Sequence, residues 1–289
     1  MIEVNCRTEK YFVGEILYEN DKTNTVIIDT KDKKLNRDVI LKQVKYNDDR
    51  QKELILKEIK SQIALERYSD HIPQVHNIFV NERERKISIE MTKIEGVSLR
   101  KKINDAMAFP NKDLNWYKNQ LKTLIMICST MANLHKYNMF VHKDLKPENI
   151  IVSQEKQAAY IIDFGISGPG LSKGIGTVGY MAPEQQQVVD KFQVCQATDV
   201  YALGQIGIEM FSGSVLNFGK ELVYKASIQT WYKEKDISNI GGTFYPKLGA
   251  ILKKSIALDP KDRFLNAKDL KINLTDLLKG NYGKRANHK

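Results

Sequence analysis

The stretch Val141-His-Lys-Asp-Leu-Lys-Pro-Glu-Asn149 puts a carboxylate (Asp144), an ammonium (Lys146) and a carboxamide (Asn149) within a few positions of one another. A second carboxylate follows in Asp163-Phe-Gly165, behind the apolar pair Ile161-Ile162, and a third in Ala182-Pro-Glu184. A carboxylate can take a proton from a hydroxyl or hold a hard cation, and a lysine beside it can meet negative charge. An isolated Asp-Phe-Gly is most simply a turn. Its coincidence with Asp144 and Asn149 at this spacing points to chemistry instead. Lys42 is a further candidate, because it lies inside the apolar run Val39-Ile-Leu-Lys-Gln-Val44. An unpaired ammonium there would be costly, so it calls for an anionic partner. The alternative is an edge-strand lysine that snorkels to solvent.

The elements around these residues can be read from their periodicity. Val26-Ile-Ile28 and Val39-Ile-Leu41 predict strands, bounded by polar turns such as Thr30-Lys-Asp-Lys-Lys34. A helix over 49–68 follows, with Leu54, Ile55, Ile59 and Ile63 at helical spacing. Short strands are expected near Val75–Val80 and Lys86–Met91. From about Asn115 the pattern turns helical, and Leu121, Leu124, Ile125, Cys128, Met131 and Leu134 form one stripe. Asp199 to Phe211 is apolar nearly all round and ends before Gly213, which predicts a buried helix with a glycine stop. Pro246 opens another helix, and Asn266 reads as the N-cap of a last one ending before Gly280. A small β-rich half therefore precedes a larger helical half, joined near Thr92–Gly96. A cleft between two such halves is a preferred place for a ligand.

The ordered set Val141–Asn149, Asp163–Gly165 and Gly179-Tyr-Met-Ala-Pro-Glu-Gln185 resembles the eukaryotic-like (Hanks-type) Ser/Thr protein kinase family, in its bacterial form. The resemblance covers about residues 11 to 279. It implies an α+β, bilobal kinase fold, with a small β-rich lobe over 1–91 holding one main helix. A hinge over 92–96, a mostly helical lobe over 97–279 and a basic tail over 280–289 follow. It also implies an ATP- and Mg²⁺-dependent enzyme, with Mn²⁺ an alternative, that phosphorylates Ser/Thr hydroxyls of proteins and itself. On this reading Asp144 accepts or orients the incoming hydroxyl proton, and Lys146 contacts the transferred phosphate. Asn149 and Asp163 hold the metal. Lys42 meets the α/β-phosphates of ATP and pairs with Glu58, ahead of Glu53 and Glu66; a plain solvated helix charge is the alternative for Glu58. In Ile89-Glu-Met-Thr-Lys-Ile-Glu-Gly96, Met91 guards the back of the adenine pocket. The backbone of Thr92 and Ile94 hydrogen-bonds adenine, unless the segment is simply a strand end. Asp199 matches the buried aspartate that anchors the catalytic loop, and Arg263 matches the arginine paired with Glu184. Thr177 resembles the residue that shapes the substrate site.

Two stretches depart from the family pattern. G-x-G-x-x-G-x-V is expected over the phosphates. The matching stretch, Ile16 to Val26, contains no glycine, and Gly14 falls too early. Val26, where the closing valine falls, is assigned to the nucleotide pocket. Asn20, Asp21 and Asn24 tolerate positive φ better than most residues. Glu19 and Asp21 would repel phosphates, and Lys22 would compensate in part, so a raised KM for ATP is expected. The second departure is Lys143, where the family usually has arginine; lysine clamps a phosphorylated loop less well. The segment 163–184 is Gly-rich with few hydroxyls. Weak dependence on its phosphorylation follows, with Ser172 as the candidate site.

The 289 residues are 42% hydrophobic and 28% charged, which excludes fibrous and wholly disordered classes. Three scattered cysteines exclude a disulfide framework and suit a reduced compartment. No stretch reads as a signal peptide or membrane span, so a cytoplasmic protein is expected. The net charge of +10 favours acidic protein substrates. No basic motif interleaved with aromatics speaks for nucleic acid. With no sensor segment in the sequence, control comes from elsewhere or from self-association. The main alternative function is a pseudokinase scaffold with weak nucleotide binding, motivated by the Gly-free loop. A small-molecule kinase of similar fold is opposed by the Asp-Leu-Lys-Pro-Glu-Asn and Ala-Pro-Glu strings.

Overall fold

The computed structural model describes residues 10–21, 23–109, 112–137, 140–164, 176–186, 193–216 and 237–280. Lys22, Ser172 and the glycines from 165 to 174 lie outside them, as does the tail from residue 281. The chain divides into two compact units, Met1–Glu95 and Gly96–Lys289.

The first unit is built on a five-stranded antiparallel sheet, β1(Glu15–Asn20), β2(Thr25–Asp32), β3(Arg37–Lys45), β4(Val75–Asn81) and β5(Lys86–Thr92), in the order β1-β2-β3-β5-β4. β2 continues through Thr30–Asp32, where the polar residues suggest a turn. The reversal falls instead on the residues after Asp32, whose Oδ1 accepts from the Lys34 and Leu35 N–H groups at 2.9 and 3.0 Å. Strand alternation splits the unit's core. Val39, Leu41 and Ile28 pack with Tyr11 on one face. Ile87, Ile89 and Met91 pack on the other with Ile55 and Ile59 of α1(Asp49–Leu65). The Asp48 carboxylate caps α1 by accepting from the Gln51 N–H at 2.7 Å, and the helix stops three residues short of the predicted 68.

The second unit is mostly helical. Its elements are α2(Leu99–Met107), α3(Leu114–Leu134), α4(Gln196–Ser212), α5(Leu248–Ser255) and α6(Ala267–Leu278), with a small sheet of β6(Val97–Ser98), β7(Ile150–Ser153) and β8(Ala158–Ile161). The α3 stripe is buried as expected, except that Ile125 is half-buried and Ile127 takes its place in the core. α4 is buried from Ala197 to Phe211 and ends on Gly213 in the left-handed region, φ 84°. Asn266 caps α6 through the Lys268 and Asp269 N–H groups. At Gly96 a Cβ would stand 2.6 Å from the Val152 carbonyl oxygen, so only glycine admits the chain this close to β7. Among the described residues no helix is long and apolar enough to cross a membrane.

Candidate active site

The segment that carries Asp144 is held from below by α4. Asp199, 1% exposed, accepts from the His142 N–H at 2.7 Å and the Lys143 N–H at 2.9 Å. Its Oδ2 also lies 3.0 Å from His135 Nε2. His135 Nδ1 accepts from the Ala267 N–H at 3.2 Å, so Nε2 carries the proton and donates to Asp199. One imidazole thus links the start of α6 to the aspartate beneath the loop. Two charge-assisted backbone bonds fix Lys143 at φ 73°, a left-handed conformation that a lysine rarely adopts. Gln185 holds the same residue from the other side, donating to the Lys143 carbonyl at 2.7 Å and accepting from the Ala182 N–H at 3.0 Å. Burial lowers the Lys143 ammonium pKa, partly offset by Asp199.

At the end of this loop three side chains meet. Thr177 Oγ1 donates to Asp144 Oδ1 at 2.7 Å, and Lys146 Nζ lies 2.9 Å from Thr177 Oγ1 and 3.3 Å from Asp144 Oδ2. An alcohol is therefore seated on a carboxylate at the distance a general base needs, with an ammonium beside the alcohol oxygen. Asn149 ends a 3₁₀ turn opened by Pro147, and its Nδ2 donates to the Asp144 carbonyl at 3.0 Å. That leaves Oδ1 without a protein partner among the described residues. Asp163 is half-buried just past β8. Phe164 anchors it, with ring centroids 5.3 Å from His142 and 6.3 Å from Phe140. Burial keeps the His142 pKa low despite the nearby carboxylates, so this ring is a neutral packing surface.

Two ion clusters brace the site. Glu184 and Arg263 form a two-point pair at 2.8 and 2.9 Å, both side chains fully buried. The second cluster has no counterpart in the sequence reading. Arg100 of α2 donates to Glu148 at 2.8 Å, to Glu209 of α4 at 2.5 Å and to the Tyr180 hydroxyl at 2.8 Å. Tyr180 donates in turn to Glu209 at 2.5 Å, and burial together with that carboxylate raises the phenol pKa. Arg100 and Glu209 stand 109 positions apart, so no local pattern marks the pair.

The first unit carries the remaining candidates. Lys42 lies on the sheet face that packs against α1, and Glu58 is half-buried on α1. Val26 does not share that face. It pairs across the sheet with Gln43 and packs among Ile28, Val39 and Leu41, whereas Ile27 is the neighbour of Lys42. The residue beside Lys42 is thus one position past Val26, because a one-residue offset in a strand moves a side chain to the opposite face. Met91 is buried opposite Ile40 on the α1-facing side. The Thr92 N–H is committed to the Gln74 carbonyl at 2.9 Å, and its hydroxyl lies 3.1 Å from His76. Ile94 is half-buried beyond β5. In the Gly-free turn between β1 and β2, Asn24 takes φ 50°, the conformation a glycine would supply. Asn20 accepts from the Thr23 N–H, closing the turn.

A family model, the protein kinase domain, matches residues 22–273. Among curated proteins the chain is similar to a probable serine/threonine-protein kinase of Clostridium perfringens, with 28% identity over 82% of this chain and 34% of that protein. It is equally similar to serine/threonine-protein kinase PknD of Mycobacterium tuberculosis, with 28% identity over 72% of this chain and 31% of that protein. Serine/threonine-protein kinase D of Synechocystis is also 28% identical, over 79% of this chain and 44% of that protein. The chain spans less than half the length of each of these relatives.

Proposed function

The chain belongs to the protein kinase domain family, and from that premise we propose that it transfers the γ-phosphate of ATP to serine and threonine hydroxyls of proteins. The contact that carries this reading is the Thr177 hydroxyl on the Asp144 carboxylate at 2.7 Å, with Lys146 Nζ 2.9 Å from the same oxygen. A substrate alcohol in the place of Thr177 would give its proton to Asp144 as its oxygen bonds to phosphorus and the bond from phosphorus to the ADP oxygen breaks. Lys146 would steady the charge on the moving phosphoryl oxygens. The donor set of Asp163 and Asn149, a carboxylate and a still-open amide oxygen, fits a hard divalent cation such as Mg²⁺ or Mn²⁺. Such an ion, bound with ATP, would neutralise the phosphate charge. In the first unit we assign Lys42 to the phosphates with Glu58 as its partner. Ile27, in place of Val26, and Met91 take the base, together with the Thr92 carbonyl and the Ile94 backbone.

Acidic substrates suit the net charge of +10. The pseudokinase alternative is not favoured, since Lys146 and Asn149 both contact Asp144 and the curated relatives above are named as kinases. The test is intact-protein mass spectrometry after incubation with Mg²⁺ and ATP, with a generic acidic acceptor protein present. Phosphate mass gained on chain or acceptor by the wild type and lost in Asp144→Asn supports the proposal. Equal gain in both overturns the role of Asp144, and no gain in either overturns the kinase reading.

A further inference from the structure

Arg100 takes part in none of the contacts assigned to phosphoryl transfer, yet it touches both segments that flank them. Its place is set by the backbone. β6 pairs with β7, the strand that begins directly after Asn149. Ser98 then caps α2 by accepting from the Lys101 N–H at 3.2 Å. Arg100 therefore stands in the first turn of α2, within reach of the Pro147–Asn149 turn.

Its three nitrogens go to three different parts of the second unit. Nε donates to Glu148 in that turn at 2.8 Å, Nη1 to Glu209 of α4 at 2.5 Å and Nη2 to the Tyr180 hydroxyl at 2.8 Å. A guanidinium can divide itself this way because its donors lie in one rigid plane, whereas an ammonium is a single point of charge on a flexible stem. Glu209 and Tyr180 are buried and bonded to each other, so they form the fixed end. From it two arms run to Asp144. In the first, the Tyr180 N–H donates to the Thr177 carbonyl at 3.1 Å, and the Thr177 hydroxyl sits on Asp144 Oδ1 at 2.7 Å. In the second, Glu148 is followed by Asn149, whose Nδ2 donates to the Asp144 carbonyl at 3.0 Å. The Asn149 carbonyl also accepts at 3.0 Å from the N–H of Ile162, next to Asp163. The first arm ends where an acceptor alcohol would sit, and the second at the two groups assigned to the metal. The Arg100–Glu148 contact is exposed and contributes little to stability. Orientation is another matter, since a displacement of about 1 Å at a reacting group can cost about a hundredfold in rate.

We propose that Arg100 is a positioning residue for phosphoryl transfer, holding the acceptor side of Asp144 through Tyr180 and its metal side through Glu148. The proposal rests on the kinase reading and adds to it a residue that touches neither substrate nor metal.

Steady-state kinetics of the full chain test it, with Mg²⁺, ATP and dephosphorylated casein as the acceptor. Tyr180→Phe cuts the first arm at the Arg100 contact. It should raise the KM for casein about threefold or more and leave the Mg²⁺ concentration for half-maximal rate unchanged. Glu148→Ala cuts the second arm and should do the reverse. Arg100→Met cuts both, so kcat/KM for casein should fall about tenfold or more. Added to the Tyr180→Phe, Glu148→Ala pair, it should cost less than about twofold further. Arg100→Lys should recover little. A residue that only stabilised the fold would reduce the amount of active enzyme and lower kcat in every variant, with no such split between acceptor and metal. Should Arg100→Met fail to fold, Tyr180→Phe and Glu148→Ala carry the test, because both keep the Arg100–Glu209 pair. Wild-type kinetics in Arg100→Met, or a loss of kcat without the split in the single-arm variants, overturns the proposal and leaves the kinase reading in place. No transfer to casein or to the chain by the wild type overturns the kinase reading, and this proposal with it.

Discussion

Replacing Arg263 by methionine tests the bracing of the candidate site most sharply. All five guanidinium N–H groups are satisfied in the fold. Nε donates to the Ala257 carbonyl at 2.7 Å, Nη1 to Glu184 at 2.8 Å and Ala197 at 3.0 Å, and Nη2 to Glu184 at 2.9 Å and Leu258 at 3.0 Å. The cation also lies over the Tyr201 ring, 5.0 Å from its centroid. Methionine keeps the length and removes every donor. Glu184, fully buried, is then left with the Thr198 hydroxyl at 2.8 Å as its remaining side-chain donor. Breaking a buried pair from one side costs about 3–5 kcal/mol, a large part of the roughly 5–15 kcal/mol that a domain has. At about 2–4 °C per kcal/mol the transition should fall by roughly 6–20 °C. Arg263→Lys should recover little, since an ammonium cannot make the fork. Adding Glu184→Gln to Arg263→Met removes the stranded charge and should restore about 1–3 kcal/mol. Thermal and urea transitions followed by circular dichroism read all four proteins. A fall of under about 2 °C for Arg263→Met would show that the pair is not what holds this part of the second unit.

Other substitutions probe separate links of the argument. Asp199→Asn can accept from only one of the two loop N–H groups and turns a donor on the other. The loss of charged hydrogen bonds worth about 1.5–3 kcal/mol each should lower kcat at least tenfold, with the KM for ATP little changed; steady-state kinetics showing the reverse split would count against it. Asp21→Gly removes a carboxylate from the Gly-free turn and supplies its missing freedom, so the KM for ATP should fall while kcat holds. Glu90 is fully buried in the first unit, and burial by itself would raise its pKa. Hydrogen bonds from Lys10, Tyr11 and Asn77 nevertheless hold it down to about 2. A carboxylate depressed in the fold contributes stability that is complete above its unfolded pKa and is lost as pH falls toward the folded one. Wild type should therefore lose stability between about pH 4.5 and 2 more steeply than Glu90→Gln, measured by urea midpoints; parallel curves would remove Glu90 from the account.

The chemistry at Asp144, Lys146, Asn149 and Asp163 is legible in the sequence because those residues work through types and short spacings that survive without coordinates. β2 to β5, α1, α3 and α4 are legible for a related reason: a period of 2 or 3.6 over many residues outweighs local noise, whereas the stretch that forms β1 reads only as a counterpart of the phosphate loop. α2 is not, because a nine-residue helix with only Leu99 and Ile103 buried is stabilised by packing rather than by its own pattern. β7 and β8 are buried on both sides, so their side chains show no alternation. Faces were harder than elements. Val26 and Ile27 are equally good apolar strand residues, and only the register with β3 decides which of them stands beside Lys42.

What tertiary structure alone decided is held by contacts far apart along the chain. The tautomer of His135 depends on Asp199 and Ala267, the φ of Lys143 on Asp199, and the pairing of Glu209 on Arg100. Sequence determined which chemical groups this protein owns and in what order. Folding determined which of them lost water and met, because desolvation and hydrogen-bond distance are properties of the packed chain and not of any segment of it.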